Sequence, residues 1–150
     1  MTVYRFAAAS YCNDISGEGA SIYGGRWNSI GIPVVYTSQT ISLSLLEMLI
    51  HTGNYEEIKS KKLVSISIPD QGIENLPVAG LPKNWQSDID YCRDIGDSFL
   101  TSGKSLLLKV PSAVVPEEMN ILINPRHPLF KKVSVVTSRG FNFDSRMFKN

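Results

Sequence analysis

The strongest constraint on the fold is a series of short β-branched and aromatic runs set between turn residues. They are "TVYRFA" (residues 2–7), "PVVYT" (33–37), "KLVSISIP" (62–69), "SLLLKVPS" (105–112), "NILIN" (120–124) and "KKVSVVT" (131–137). Runs this short, punctuated by Gly, Pro and Asn, suit strands and not helices. In the second run Val34 and Tyr36 share one face, and Val35 and Thr37 share the other. In the third, Val64, Ile66 and Ile68 oppose Ser65 and Ser67, the pattern of a half-buried strand. The clear helical segments are "TISLSLLEMLIH" (40–51) and "DIDYCRDIGDSFLTS" (88–102), the second ending near Gly103. Strands and helices do not alternate as repeated βαβ units. The expected class is therefore mixed α+β and not a doubly wound sheet. Residues 70–84 read as loop, and "FNFDSRMF" (141–148) is expected to add an edge strand. The 150 residues are expected to form one domain, 1–150.

Charge and cysteine content exclude several classes. The net charge of +1 gives no global field for nucleic acid. Cys12 and Cys92 are far apart, with no His at metal-ligand spacing. A disulfide framework and a zinc site are therefore not expected, and a reducing cytoplasm is the simpler setting. The opening "MTVYRFAAAS" has neither the basic nor the apolar region of a signal peptide. No apolar run reaches the roughly 20 residues that span a bilayer.

Three stretches carry candidate chemistry. In residues 17–36, "GEGASIYGGRWNSIGIPVVY", glycines at 17, 19, 24 and 25 predict a long mobile loop around Arg26. An arginine fork suits phosphate or carboxylate, and Gly24 and Gly25 would let backbone N–H groups face the same anion. On segment 40–51 a helical wheel gathers Ser44, Glu47 and His51 into a narrow polar strip, the rest being mostly apolar and buried. Glu47 then lies either on a solvent strip or at a cleft, where a carboxylate meets a substrate hydroxyl or an incipient cation. Tyr36 at a strand end either stacks on a flat ring or packs in the core. Ser112 lacks the G-x-S-x-G elbow of a serine hydrolase. His127, with no acid or Cys beside it, reads as a structural hydrogen-bonder.

Taken together, "GEGASIYGGRWNSIGIPVVYTS", "SLSLLEMLIH" and "VPSAVVPEEMNILINPRHP" closely resemble the RES domain family. "LPKNW" (81–85) and "FNFDSR" extend the likeness over nearly the whole chain. The Arg, Glu and Ser that name the family fall on Arg26, Glu47 and Ser112. The sequence departs from the family at Phe99, where relatives often have Trp, and in "SYCND". The resemblance implies an ADP-ribosyltransferase-like fold, a split β-sheet core around an NAD cleft. It implies a bacterial toxin of an Xre–RES toxin–antitoxin pair, cytoplasmic, that cleaves the nicotinamide–ribose bond of NAD by hydrolysis or phosphorolysis and arrests growth. Mono-ADP-ribosylation of a protein target is the alternative, and a non-catalytic binding module a further one.

On this likeness NAD is a substrate and no cofactor or metal is needed. The implied catalytic residues are Arg26, Glu47 and Ser112. Glu47 would face the nicotinamide ribose, and Arg26 would grip a phosphate as the glycine loop closes on it. Tyr36 would border nicotinamide. Ser112 would bond the substrate or position Glu47. Arg5 and Asn120 are further NAD contacts. The implied protein partner is an Xre-like antitoxin, with room for a homodimer inside that complex and no direct contact with nucleic acid or membrane.

Overall fold

The computed structural model describes residues 1–148. Along the chain run β1 (Thr2–Ala7), α1 (Glu18–Tyr23), β2 (Val35–Ser38), α2 (Ile41–His51), α3 (Tyr55–Ser60) and β3 (Lys62–Ser67). Then come β4 (Ile73–Asn75), α4 (Ile89–Ser102), β5 (Leu107–Pro111), β6 (Met119–Ile123) and β7 (Ser134–Gly140), with short 3-10 turns between them. The strands line up as β4-β5-β6-β2-β1-β3-β7. Only β4 and β5 run parallel. This is the mixed α+β class that the sequence predicts.

The sheet is split near its middle. β1 meets β3 from Thr2↔Ser67 to Ala7↔Lys62, but it meets β2 only at Tyr4↔Ser38. Helix α2 leaves the end of β2 at this gap and lies against both β1 and β2. Thr40 caps it, its hydroxyl accepting from the Leu43 N–H at 3.1 Å.

The expected alternation in β2 holds. Val35 joins Val3, Val64, Ile66, Leu107, Ile121 and Ile123 on one face. Val34 and the ring of Tyr36 join Leu108, Val110 and Leu122 on the other, beneath Cys92, Phe99 and Leu100 of α4. Burial on both faces explains the near-continuous apolar runs of β5 and β6. Phe99, one of the departures from the family, is a core residue at 5% exposure.

Several expectations are corrected. Residues 17–25 are not a mobile loop, since Glu18–Tyr23 is helical. Gly17 and Gly24 bracket that helix with φ of +75° and +71°, a backbone that side chains resist. Asn54, just past α2, starts α3: its Oδ1 accepts from the N–H groups of Glu56 and Glu57. Residues 70–84 contain β4, whose exposed residues give no apolar signal. The stretch 141–148 is not an edge strand. Phe141 and Phe143 turn in to pack on Phe6, with ring centroids 5.1 and 5.6 Å away, and β7 forms that edge.

Helix α2 is also less buried than its composition predicts. Leu43 and Met48 are buried with Ser44, whereas Leu46 and Ile50 are 41% and 66% exposed. Ser44 and Glu47 of the polar strip face the sheet's gap, His51 stands exposed at the strip's end, and Leu46 and Ile50 face out.

Candidate functional site

Beside that gap lies a cavity of about 1190 Å³. Arg5, Arg26, Tyr36, Glu47 and Asn120 all line it, as does His51. Of the predicted site residues, Ser112 alone is not on its wall. A smaller hollow of about 630 Å³ between β4 and α4 holds none of them.

Glu47 projects from α2 with its side chain 21% exposed. Its Oε1 accepts from the Ser112 hydroxyl at 2.7 Å and from Asn120 Nδ2 at 2.6 Å. Asn120 is oriented in turn by the Ser38 hydroxyl, which donates to its Oδ1 at 2.7 Å. The register places Ser38 opposite Asn120, so this chain of bonds is fixed by the β2–β6 ladder. The other carboxylate oxygen, Oε2, lies 3.7 Å from His51 Nε2. The solvent-strip reading of Glu47 is thereby set aside.

Ser112 follows β5 and is fully buried. Its oxygen accepts from the Val114 and Val115 N–H groups at 3.0 and 3.1 Å while its proton goes to Glu47. One donor and two acceptor sites are all that a hydroxyl has. Of the two roles left open for Ser112, the geometry favours positioning the carboxylate.

Arg26 follows the C-terminus of α1. Its Nη1 donates to the Gln86 carbonyl at 2.8 Å, and its guanidinium carbon lies 5.9 Å from the centre of the Trp85 ring. Cys92 packs beneath, its Sγ 4.0 Å from the same Nη1. Burial pushes the Cys92 thiol up, and the neighbouring Arg26 opposes this. Among the described residues, Nη2 and Nε of Arg26 have no protein partner, which leaves two donor groups for an anion.

The glycines beside Arg26 serve a different purpose from the one predicted. The Gly24 N–H donates to Ala20 and the Gly25 N–H to Asn28, so neither faces the cavity as an anion donor. A Cβ on Gly25 would stand 2.6 Å from the Tyr36 hydroxyl. Close packing, and not freedom to close, demands glycine there.

The segment is locked by residues that the sequence reading missed. Asn28 is fully buried and donates to the carbonyls of Ala20 and Ile32 at 2.8 and 2.9 Å. Its Oδ1 accepts from the Tyr36 hydroxyl at 2.6 Å, and that hydroxyl accepts from the Trp27 N–H. Arg93 and Asp97 of α4 clamp the segment from the other side. Arg93 Nε donates to the Gly25 carbonyl at 2.8 Å, and Asp97 accepts from the Ser29 N–H at 2.8 Å. These are ordinary polar residues in the sequence. Their only signal was Asn28, two positions after Arg26. Tyr36 thus presents a ring to the cavity while its hydroxyl is engaged in structure, and burial raises its pKa to about 12.

Arg5 on β1 donates through Nη2 to the carbonyls of Tyr11 and Asp14, tying down the "SYCND" turn. Its Nε is buried without a hydrogen-bond partner among the described residues. Desolvation holds its pKa below the ordinary arginine value, with Asp14 opposing. His127 is structural, as expected: Nδ1 accepts from the Leu129 N–H at 3.0 Å. No helix among the described residues is long and apolar enough to cross a membrane.

An anchored carboxylate and a guanidinium with free donors lining one cavity can bind a ligand that carries both hydroxyls and anionic groups. A toxin from Photorhabdus laumondii named "Toxin Res" is 39% identical over 153 residues, covering 99% of this chain and 98% of its own. A Sphingobium protein named "Prs ADP-ribosylating toxin" is 37% identical, covering 91% of this chain and 88% of its own. The fold resembles a chain in the crystal structure of the M. tuberculosis MbcT-MbcA toxin-antitoxin complex. The TM-score is 0.75 at 19% identity, over 94% of this chain and 84% of that one. The family model described as "RES domain" matches residues 2–144, and the chain belongs to that family.

Proposed function

We propose that this protein is the toxin of a bacterial toxin–antitoxin pair and that it cleaves the nicotinamide–ribose bond of NAD in the cavity lined by Arg26 and Glu47. The observation that carries the reading is that these two side chains line the same cavity, with Glu47 Oε1 doubly anchored. The cavity volume of about 1190 Å³ leaves room for a dinucleotide.

The chemistry needs little beyond this. Nicotinamide leaves as a neutral base from a cationic N-glycoside, and positive charge develops on the ribose as in glycoside cleavage. The Glu47 carboxylate accepts from a ribose hydroxyl and stabilises that charge, and a carboxylate fixed in advance does so without reorganising. Arg26, braced by Gln86 and Trp85, directs its free donors to a phosphate. The ring of Tyr36 borders nicotinamide, Arg5 contributes a second positive charge, and Asn120 orients Glu47. NAD is consumed as a substrate, and no redox or metal chemistry is called for.

The names of the relatives support a toxin, and the likeness to a chain of the MbcT-MbcA toxin-antitoxin complex supports a protein antitoxin as partner; that this antitoxin is Xre-like and that the pair acts in the cytoplasm are part of the same proposal. Ile22, Tyr23 and Ile50 stand exposed on the cavity's rim, the kind of apolar surface that a protein partner covers. Transfer of ADP-ribose to a protein is the second reading, favoured by the name of the Sphingobium relative.

The test is product analysis with protein freed of any antitoxin. Nicotinamide release is expected, and Glu47→Ala should lower it about 100-fold or more with the fold retained. Equal release by the variant would sink the assignment. ADP-ribose-1″-phosphate formed only when phosphate is present indicates phosphorolysis, and ADP-ribose indicates hydrolysis. Label from NAD on a protein band favours the second reading.

A further inference from the structure

We infer that His51 is the base that takes the proton of the incoming acceptor. The inference rests on the NAD-cleavage reading. His51 lies one helical turn beyond Glu47, on the same polar strip of α2, and lines the same cavity at its exposed end. Ser112 and Asn120 both bind Oε1, so Oε2 alone of that carboxylate is turned toward the imidazole, 3.7 Å from Nε2. Two atoms at that spacing can share one oxygen about 2.8 Å from each, an ordinary hydrogen-bond length. The pair therefore marks a seat for one acceptor O–H beside the carbon on which positive charge develops.

Among the described residues, the other charged groups around the cavity do not pair with the imidazole. Lys61, after α3, lies 3.7 Å from Glu57. Arg5 on β1 is held by carbonyls, as is Arg26. Asp14 and Glu18 line the cavity without pairing with the imidazole. Among the described residues Glu47 is the only carboxylate within ion-pair distance of His51. With its side chain 76% exposed, His51 supports no core packing.

The step balances as follows. The bond between ribose C1′ and the nicotinamide nitrogen breaks, and its electron pair leaves on neutral nicotinamide. The oxygen of water, the acceptor in hydrolysis, bonds to C1′. One water proton passes to neutral His51 Nε2, and the imidazolium returns it to solvent. Glu47 stays ionised and is free to stabilise the ribosyl cation.

The experiment measures nicotinamide release against pH for the parent, His51→Ala and His51→Gln, with unfolding midpoints as a check on folding. The parent rate should fall on the acid side of neutrality, where imidazoles take up a proton. Both variants should be about 100-fold slower, with KM little changed, and should lose that acid limb. Added free imidazole should restore part of the His51→Ala rate. If the variants match the parent in rate and pH profile, this assignment falls while the NAD reading stands. A slow variant that keeps the acid limb and ignores imidazole also overturns it. A parent that releases no nicotinamide overturns both.

Discussion

Replacing Ser112 by Ala tests the site most sharply, because the structure gives that hydroxyl three bonds and no access to the cavity. In Ser112→Ala the Val114 and Val115 N–H groups lose their acceptor. An unpartnered buried donor costs about 1–3 kcal/mol. Both valines are only half-buried, so water recovers part of this, and a net loss of about 2–3 kcal/mol is expected. In a urea titration that loss moves the midpoint down by about 1 M. The effect on chemistry is smaller, because Asn120 still donates to Oε1. Loss of one of two anchors should slow nicotinamide release about tenfold, or about 1.4 kcal/mol. A nucleophilic serine would instead cost nearly all turnover. The double variant Ser112→Ala/Asn120→Ala frees the carboxylate, and its rate should fall by more than the product of the single losses. An unchanged midpoint, or strictly multiplicative rates, would refute the shared-oxygen reasoning.

Two further outcomes follow from packing and ionisation. The Tyr36 phenol is raised from 10 to about 12, so the folded protein holds that proton more tightly than the unfolded chain. Its contribution to stability is complete below pH 10 and is lost as pH rises through about 12. Alkaline unfolding titrations should show this loss, and Tyr36→Phe should remove that slope while lowering stability at neutral pH, since Asn28 Oδ1 loses its donor. In Gly96→Ala the new Cβ would collide with the Trp27 carbonyl oxygen, which is backbone and cannot give way cheaply. A loss of more than about 3 kcal/mol is expected, and an unaltered Tm would contradict the close docking of α4 on the Arg26 segment.

The carboxylate illustrates what single-chain patterning can reveal. Glu47 stood out because a helix with so few polar residues had to direct it somewhere. The wheel also gathered Ser44, Glu47 and His51 correctly. It did not say which way the strip turned, because periodicity fixes relative angles and not absolute rotation. The split sheet supplied the answer by leaving a polar gap under that strip. The glycine run was a weaker guide. Gly25 needs space for the Tyr36 hydroxyl from β2, a contact that no local rule contains. Asn28, Arg93 and Asp97 went unseen for the same reason, since each acts on a partner distant in sequence or on the backbone.

The sequence by itself determined most of the strands, where α2 and the end of α4 lie, that strands and helices mix without βαβ order, and that Ser44, Glu47 and His51 share one side of α2. These follow from steric preference and hydrophobic period, which act over a few neighbouring residues. Only the tertiary structure decided that Ser112 and Asn120 share one carboxylate oxygen across 65 and 73 positions of chain, and that His51 faces the other. Hydrogen bonds between residues so far apart depend on strand register and on the gap between β1 and β2, which the whole chain sets together.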